Sequence, residues 1–138
     1  MNIATIVLRL FLALLCGAII GIEREVRDKA AGLRTHILVC LGACLFGIIG
    51  IALGAEYRNA DILRLAQGLL IGIGFLGGGV IFKEGATVKG LTTAAGIWVM
   101  GAIGLAVGVG AYYIAFIGTV FCFLTMALFG KFEELLKK

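Results

Sequence analysis

The sequence predicts an all-α membrane protein, a bundle of about five transmembrane helices with a glycine-rich third helix at its centre. Composition is the first reason: 62% of the 138 residues are hydrophobic and only 14% are charged, against about 25% charged in an average soluble domain. The second reason is a series of five apolar stretches, each close to the ~20 residues that cross ~30 Å of hydrocarbon. We expect one transmembrane domain at 1–130 and a short cytoplasmic tail at 131–138.

The five predicted spans are separated by short connections, of which only 23–32 and 54–62 are strongly polar. The first span lacks the basic start and the cleavage site of a signal peptide, so we expect it to stay as a helix. The fourth and fifth spans are joined by a tight link at 109–111, so a fused or re-entrant pair, and hence four spans, is the alternative. The predicted spans are 3–22, 33–53, 63–82, 91–108 and 112–129.

Basic residues are distributed unevenly between the two sides of this predicted bundle. With five spans, nine of them fall on the side of the first connection, the third connection and the tail. The positive-inside rule places this side in the cytoplasm, with the N-terminus outside and the C-terminus cytoplasmic. Because these residues alternate with apolar stretches and form no basic patch, we expect the lipid bilayer, and no nucleic acid, as a partner.

The third span is predicted to be the packing centre because six glycines lie between Gln67 and Phe82. At 100° per residue, some of them share one helix face and the others share a second face. Small residues four positions apart allow two membrane helices to approach closely, so we expect neighbours on both faces. The alternative is that the glycines expose backbone carbonyls to a pathway. The predicted helix-packing residues are Gly17, Gly21, Gly68, Gly72, Gly74, Gly78 and Gly79.

A charged side chain inside the first span indicates a polar cluster on the outer side. Arg9 lies about two turns into this span, where an arginine without a partner is costly. Asp61 heads the third span, and Arg64 and Gln67 follow it at steps of three residues. We predict that these four side chains lie together. A structural ion-pair network and an ion-binding site fit this pattern equally well.

A second polar cluster is predicted on the inner side, where the first span ends and the second and fourth begin. Glutamates there could hold Mg²⁺ through its waters, because this ion dehydrates reluctantly. The metal candidates are Glu23, Glu25 and Asp61, and no other cofactor is expected. The single histidine has no metal-binding partner in sequence and is expected to form a hydrogen bond at the interface. The inner cluster comprises Glu23, Arg24, Glu25, Arg34, Thr35, His36, Thr92 and Thr93.

The residue types of nucleophilic and acid–base catalysis are poorly represented. The chain has no serine, and its four cysteines all fall inside predicted spans. No Cys–His or carboxylate pair has the spacing of catalytic machinery. We therefore predict no enzymatic activity and no catalytic residue, and we interpret the cysteines as small packing residues.

Four blocks of the sequence resemble the signature blocks of the MgtC/SapB family. In chain order they read GAIIGIERE at 17–25, AGLRTH at 31–36, GIGFLGGG at 72–79 and GLTTAAGIW at 90–98. They occur in the family's order and extend over the first four spans. Asp61, Arg64 and Gln67 also fit the family's lead into its glycine helix, although Ile62 stands where the family usually has proline.

This resemblance implies a bacterial inner-membrane protein linked to magnesium homeostasis, acting in Mg²⁺ transport or sensing. One alternative is a regulator that acts by helix–helix contact on another membrane complex such as the ATP synthase. A second alternative is a transporter of another small solute. Many members carry a soluble C-terminal domain, so functions tied to that domain are not carried over to these 138 residues. Spare small-residue faces favour a homodimer.

Overall fold

The computed structural model describes residues 1–57 and 61–130, and five α-helices account for most of them. The all-α membrane fold and the number of helices are confirmed. The predicted tail at 131–138 lies outside the described residues. In chain order the elements are α1 (Ile3–Val26), α2 (Leu33–Glu56), α3 (Ile62–Gly78), β1 (Phe82–Glu84), β2 (Thr87–Lys89), α4 (Leu91–Val109) and α5 (Tyr112–Leu124), which continues as a π-helical turn (Thr125–Phe129).

The third helix is shorter than the span that the sequence predicts. It ends at Gly78, whereas four segments of the described chain (α1, α2, α4 and the stretch Tyr112–Phe129) are long and apolar enough to cross a membrane. The residues that follow form an antiparallel hairpin, β1–β2, whose first residue, Phe82, falls inside the predicted third span. Its two-residue connection begins with Gly85 at φ +61°, a backbone conformation that suits glycine at a hairpin turn. Hydropathy alone does not register this break, because Val80, Ile81 and Phe82 remain apolar after the helix has ended.

The centre of the bundle is the interface between α2 and α4, with α1 packed against α2. Glycines make these contacts close. A Cβ atom on Gly17 of α1 would lie 2.7 Å from Ile37 Cα of α2, and one on Gly21 would lie 2.7 Å from Leu33 Cα. On α4, Gly104 and Gly108 face the backbone carbonyls of Cys40 and Cys44 in the same way. The buried side chains around them are Ala13, Ile20, Cys40, Cys44, Met100, Ile103 and Val107.

The predicted central position of the third helix is wrong, because α3 packs on one side of the bundle, mainly against α4. Its contact face consists of Leu69, Ile73 and Gly77, spaced one helical turn apart. Ile73 fills the space left by the missing side chain of Gly101 on α4. A large side chain of α3 thus enters a gap on α4, and among the described glycines of α3, Gly77 is the one whose Cβ atom would meet a neighbour, 3.3 Å from the Ala94 carbonyl of α4.

The glycines predicted to pack α3 face open space instead. A Cβ atom on Gly68, Gly72, Gly74 or Gly78 would meet no atom within 4 Å, and one on Gly79 would approach only the carbonyls of its own helix. Helical periodicity identifies which residues share a face, but it does not determine whether a neighbour covers that face. The structure therefore separates the glycines that the sequence grouped together: those of α1 meet a backbone, and those of α3 do not.

Candidate functional site

The polar groups of the bundle lie at its two ends. We call the end formed by the α1–α2 connection, the β-hairpin and the start of α4 the basic end. Arg9 lies near the opposite end, where α4 finishes and α5 begins. Between them, the interior consists of the apolar α1, α2 and α4 side chains named above.

The guanidinium of Arg9 forms its hydrogen bonds with α4 and α5, and not with the predicted carboxylate. Its Nη1 donates to the Gly108 carbonyl at 2.6 Å, and its Nε donates to the Tyr112 hydroxyl at 3.3 Å. Carbonyls in the last turn of a helix have no intrahelical partner and form the negative end of the helix dipole, so a guanidinium is stabilised there. A helix terminus takes the place of the ion pair that the sequence suggests for Arg9.

Asp61 has a local structural role at the start of α3. Its Oδ1 accepts hydrogen bonds from the backbone N–H groups of Leu63 and Arg64, at 3.0 and 3.1 Å, which is the geometry of a helix N-cap. The side chains of Arg64 and Gln67 are exposed. Within the described chain, no ion pair joins Arg9 to Asp61, so the predicted four-residue outer cluster is not assembled.

At the basic end, Glu23 is shared between two arginines. Its Oε1 lies 2.8 Å from Nη2 of Arg24 and 2.7 Å from Nε of Arg27, and Arg24 also donates through Nε. The side chains of Glu23 and Arg24 are only 9% and 4% exposed. The partial burial strengthens these charge-assisted bonds, because little water competes for them. Arg27 also donates to the Ala127 carbonyl at 3.0 Å, which ties the cluster to the π-helical turn.

Glu25 and His36 hold the start of α2. Glu25 Oε2 accepts a hydrogen bond from the Leu33 N–H at 2.8 Å, replacing the side-chain cap that Gly32 cannot provide. His36 is fully buried, with Nδ1 2.9 Å from the Gly32 carbonyl. The histidine thus bonds to a backbone carbonyl at the start of its own helix. Its Nε2 has no partner among the described residues.

A cavity of about 570 Å³ opens at the basic end. Arg24, Thr92 and Thr93 of the predicted inner cluster line this cavity, together with residues outside that predicted cluster. Arg34 and Thr35, in contrast, are exposed on the first turn of α2. The added lining residues are Arg27, Lys29, Val88, Gly90, Leu91, Thr125, Met126, Phe129 and Gly130. Arg27 could have been found, because it lies four residues after Glu23 on the same helix face; Thr125 carries no such signal.

The three carboxylates predicted as metal candidates are all engaged by protein donors. Glu23 accepts from two arginines, Glu25 from a backbone N–H, and Asp61 from two backbone N–H groups. In the described part of the chain, no group of three or more His, Cys, Asp or Glu side chains is placed to hold a metal ion. Of the three, Glu23 alone belongs to the arginine cluster beside the cavity.

A sequence model of the MgtC family matches residues 10–135. The chain belongs to the MgtC family. The matched region contains the basic end, the hairpin and the α2–α4 core, so the resemblance inferred from four short blocks is confirmed over most of the chain. No solved structure matches the chain.

Several named relatives support the same membership. The chain is 42% identical over 132 residues to "Putative magnesium transporter YhiD" of Escherichia coli (strain K12), covering 91% of this chain and 61% of that protein. It is 40% identical over 125 residues to Protein MgtC of Brucella abortus (strain 2308), covering 91% and 51%. It is 38% identical over 138 residues to Protein SrpB of Synechococcus elongatus, covering 92% and 76%. The chain thus spans about half to three-quarters of the length of these relatives.

Proposed function

We propose that this chain is a multi-pass inner-membrane protein of magnesium homeostasis that senses Mg²⁺ at its basic end. The magnesium link rests on the family and on the name of the E. coli relative. The basic residues at this end support a cytoplasmic location for it. The observation that carries the proposal is the Glu23 carboxylate, shared between Arg24 and Arg27 at the edge of a cavity.

Sensing is favoured over conduction by the packing of the bundle. Apolar side chains such as Ile20, Met100 and Ile103 fill the described interior between the two polar ends. A hydrated divalent cation has no polar ligands there, and its dehydration is costly. The described part of a single copy therefore offers the ion a place to bind at one end and no polar route through the middle.

The proposed response begins with competition for Glu23. Mg²⁺ prefers carboxylate oxygens and keeps several of its waters, so it would compete with the two guanidinium groups for this side chain. Arg27 also bonds the Ala127 carbonyl, so weakening the Glu23–Arg27 pair changes the attachment of α1 to the π-helical turn after α5. π-helical turns occur frequently at functional sites, and this one forms part of the cavity wall.

Two measurements on the purified chain test this proposal. We expect Mg²⁺ to shift the thermal unfolding temperature in neutral detergent, with no matching shift from Na⁺ at equal ionic strength. Glu23→Gln should abolish the shift, whereas Glu84→Gln, in the exposed hairpin pair with Lys89, should leave it unchanged. In proteoliposomes we expect Mg²⁺ flux no greater than in protein-free vesicles. Mg²⁺ flux that is lost in Glu23→Gln would establish transport instead of sensing. If Mg²⁺ does not change the unfolding temperature, the proposed role of magnesium is wrong.

A second candidate function is regulation by helix–helix contact, favoured by the open face of α3. An apolar groove of about 340 Å³ runs between α2 and α3, lined in part by Gly42, Gly68 and Gly72, none of which has a neighbour at its Cβ position. A helix of a partner complex or of a second copy could approach the backbone closely there. Gly72→Leu should fold normally and lose co-purification with such a partner. A variant that keeps the same associations as the unaltered chain would argue against this role.

A further inference from the structure

We propose that the cavity at the basic end binds a phosphate group, carried either by a soluble molecule or by a lipid headgroup. The inference concerns a different ligand from Mg²⁺ and does not rest on the magnesium proposal. The described cavity wall is cationic. Among the described residues, the wall carries three cationic side chains (Arg24, Arg27 and Lys29) and no carboxylate.

Arg24 supplies the strongest single argument. Its side chain is 4% exposed, and its Nε and Nη2 are both committed to the neighbouring Glu23. Nη1 donates no hydrogen bond to any side chain or carbonyl in the described part of the chain, although the residue lines the cavity. A buried guanidinium on a cavity wall is suited to an oxyanion, because its planar fork matches phosphate oxygens.

The start of α4 adds neutral donors to this wall. Gly90, its N-cap, has φ +88°, and no side chain in the described part of the chain caps the first N–H groups of the helix. Leu91, Thr92 and Thr93 at this start line the same cavity as Arg24. Backbone N–H groups at a helix start, together with the helix dipole, favour a negatively charged ligand. Glycine is required at position 90, because a Cβ atom there would also overlap the Val80 carbonyl.

Size and position limit the ligand further. The cavity volume of about 570 Å³ is within the range of ~300–1,000 Å³ that is typical of small-molecule sites. It is larger than the volume that a bare inorganic anion would fill. Phe129 and Met126 on the α5 side give part of the wall an apolar surface. The site therefore suits a phosphate attached to a larger organic group. A phosphorylated metabolite and an anionic phospholipid share this chemistry and differ in the source from which they arrive.

The test uses the full chain in neutral detergent, with a chelator present so that Mg²⁺ plays no part. The probe is inorganic pyrophosphate, and chloride at the same ionic strength is the control for screening. We expect pyrophosphate to raise the thermal unfolding temperature in a saturable manner, which gives an apparent Kd. Lys29→Gln removes one positive charge from the cavity wall, at an exposed loop residue. It should raise the apparent Kd by about tenfold.

The matched control is Lys83→Gln, which removes the same charge from the β-hairpin outside the cavity lining. It should leave the Kd unchanged within about twofold. Equal weakening in the two variants would show a general charge effect and overturn the site. Thr93→Val is a second variant that keeps the cationic charge and should also weaken binding, because it removes a buried hydroxyl from the wall.

A second arm distinguishes the lipid source. Native mass spectrometry would compare phosphatidylglycerol with phosphatidylcholine on the same set of variants. Retention of phosphatidylglycerol that is lost in Lys29→Gln, with no pyrophosphate shift, assigns the site to a lipid headgroup. A pyrophosphate shift without selective lipid retention assigns it to a soluble ligand. The absence of both a pyrophosphate shift and selective lipid retention overturns the proposal. Because these experiments contain no Mg²⁺, that outcome does not bear on the Glu23 experiment.

Discussion

The α2–α4 interface and the α3 helix are both rich in glycine, yet the glycines do different things in the two regions. On α4, Gly104 and Gly108 lie directly against the backbone of α2. On α3, Gly68 and Gly72 face empty space beside a groove. The same residue type therefore permits close packing in one region and leaves an uncovered surface in the other. Substitutions of equal size should separate the two roles.

The largest effect is expected from Gly104→Ala. The added methyl group would overlap the Cys40 carbonyl and lie 2.9 Å from Ala43 Cβ, so α2 and α4 must move apart. We expect a loss of about 3 kcal/mol in the free energy of unfolding, at the upper end of overpacking effects. Thermal unfolding in detergent and the yield of monodisperse protein measure it. Unchanged stability would mean that α2 and α4 are not in close contact at this position.

The next largest effect is expected at Ile73, which connects α3 to the packed region. Ile73→Ala empties the space over Gly101 and should cost about 2–3 kcal/mol. Ile71→Ala on the same helix is the matched control, since Ile71 is 68% exposed. Hydrogen exchange of α3 amides would localise the loss. If the two variants are equally destabilised, Ile73 does not pack over Gly101 and α3 presents a different face to α4.

A smaller effect is expected for Arg9→Gln, which removes the charge-assisted bond to the Gly108 carbonyl at the end of α4. We expect a loss of about 2 kcal/mol, typical of a hydrogen bond to a charged group. Asp61→Asn should cost less than about 0.5 kcal/mol, because asparagine is an equally good N-cap. The two variants are compared in the same unfolding experiment. If Arg9 and Asp61 formed an ion pair, both variants would lose a similar amount of free energy of unfolding.

A small effect of the opposite sign to Gly104→Ala is expected for Gly72→Ala. A Cβ atom at this position meets no atom within 4 Å. Replacing glycine by alanine within a helix should therefore stabilise the isolated chain by about 0.5–1 kcal/mol. A marked destabilisation in detergent would indicate that a second copy covers this face, and cross-linking of the purified protein would then detect a dimer.

The sequence predicted the fold class and most helix boundaries because both depend on local quantities. Hydropathy over about twenty residues reports burial in lipid, and this placed the first, second and fourth helices close to their observed limits. The end of the third helix was predicted four residues too late, at Phe82 instead of Gly78. Its end depends on a run of glycines followed by a hairpin, and apolar residues continue through the break.

The candidate site was only partly predictable for a similar reason. Glu23, Arg24, Thr92 and Thr93 were recognised as polar groups at the ends of apolar spans, and Arg24, Thr92 and Thr93 line the cavity. Thr125 and Met126 come from the far end of the chain, and only the packing of α5 brings them to the same place. Arg9 was assigned a carboxylate partner because sequence reasoning pairs opposite charges. In the structure, Arg9 is paired with the C-terminal end of α4, whose partial negative charge arises from the backbone and not from any side chain in the sequence.

By itself, the sequence determined that this protein is a helical membrane protein of the MgtC family with its charges at the ends of its helices. Those features follow from composition, span length and short motifs, which need no knowledge of neighbours. Tertiary structure alone decided which glycines are covered and that the end of α4, and not a carboxylate, pairs with Arg9. The physical reason is that a glycine or an arginine has the same propensity wherever it occurs, whereas its energy depends on the atoms that other helices bring close to it.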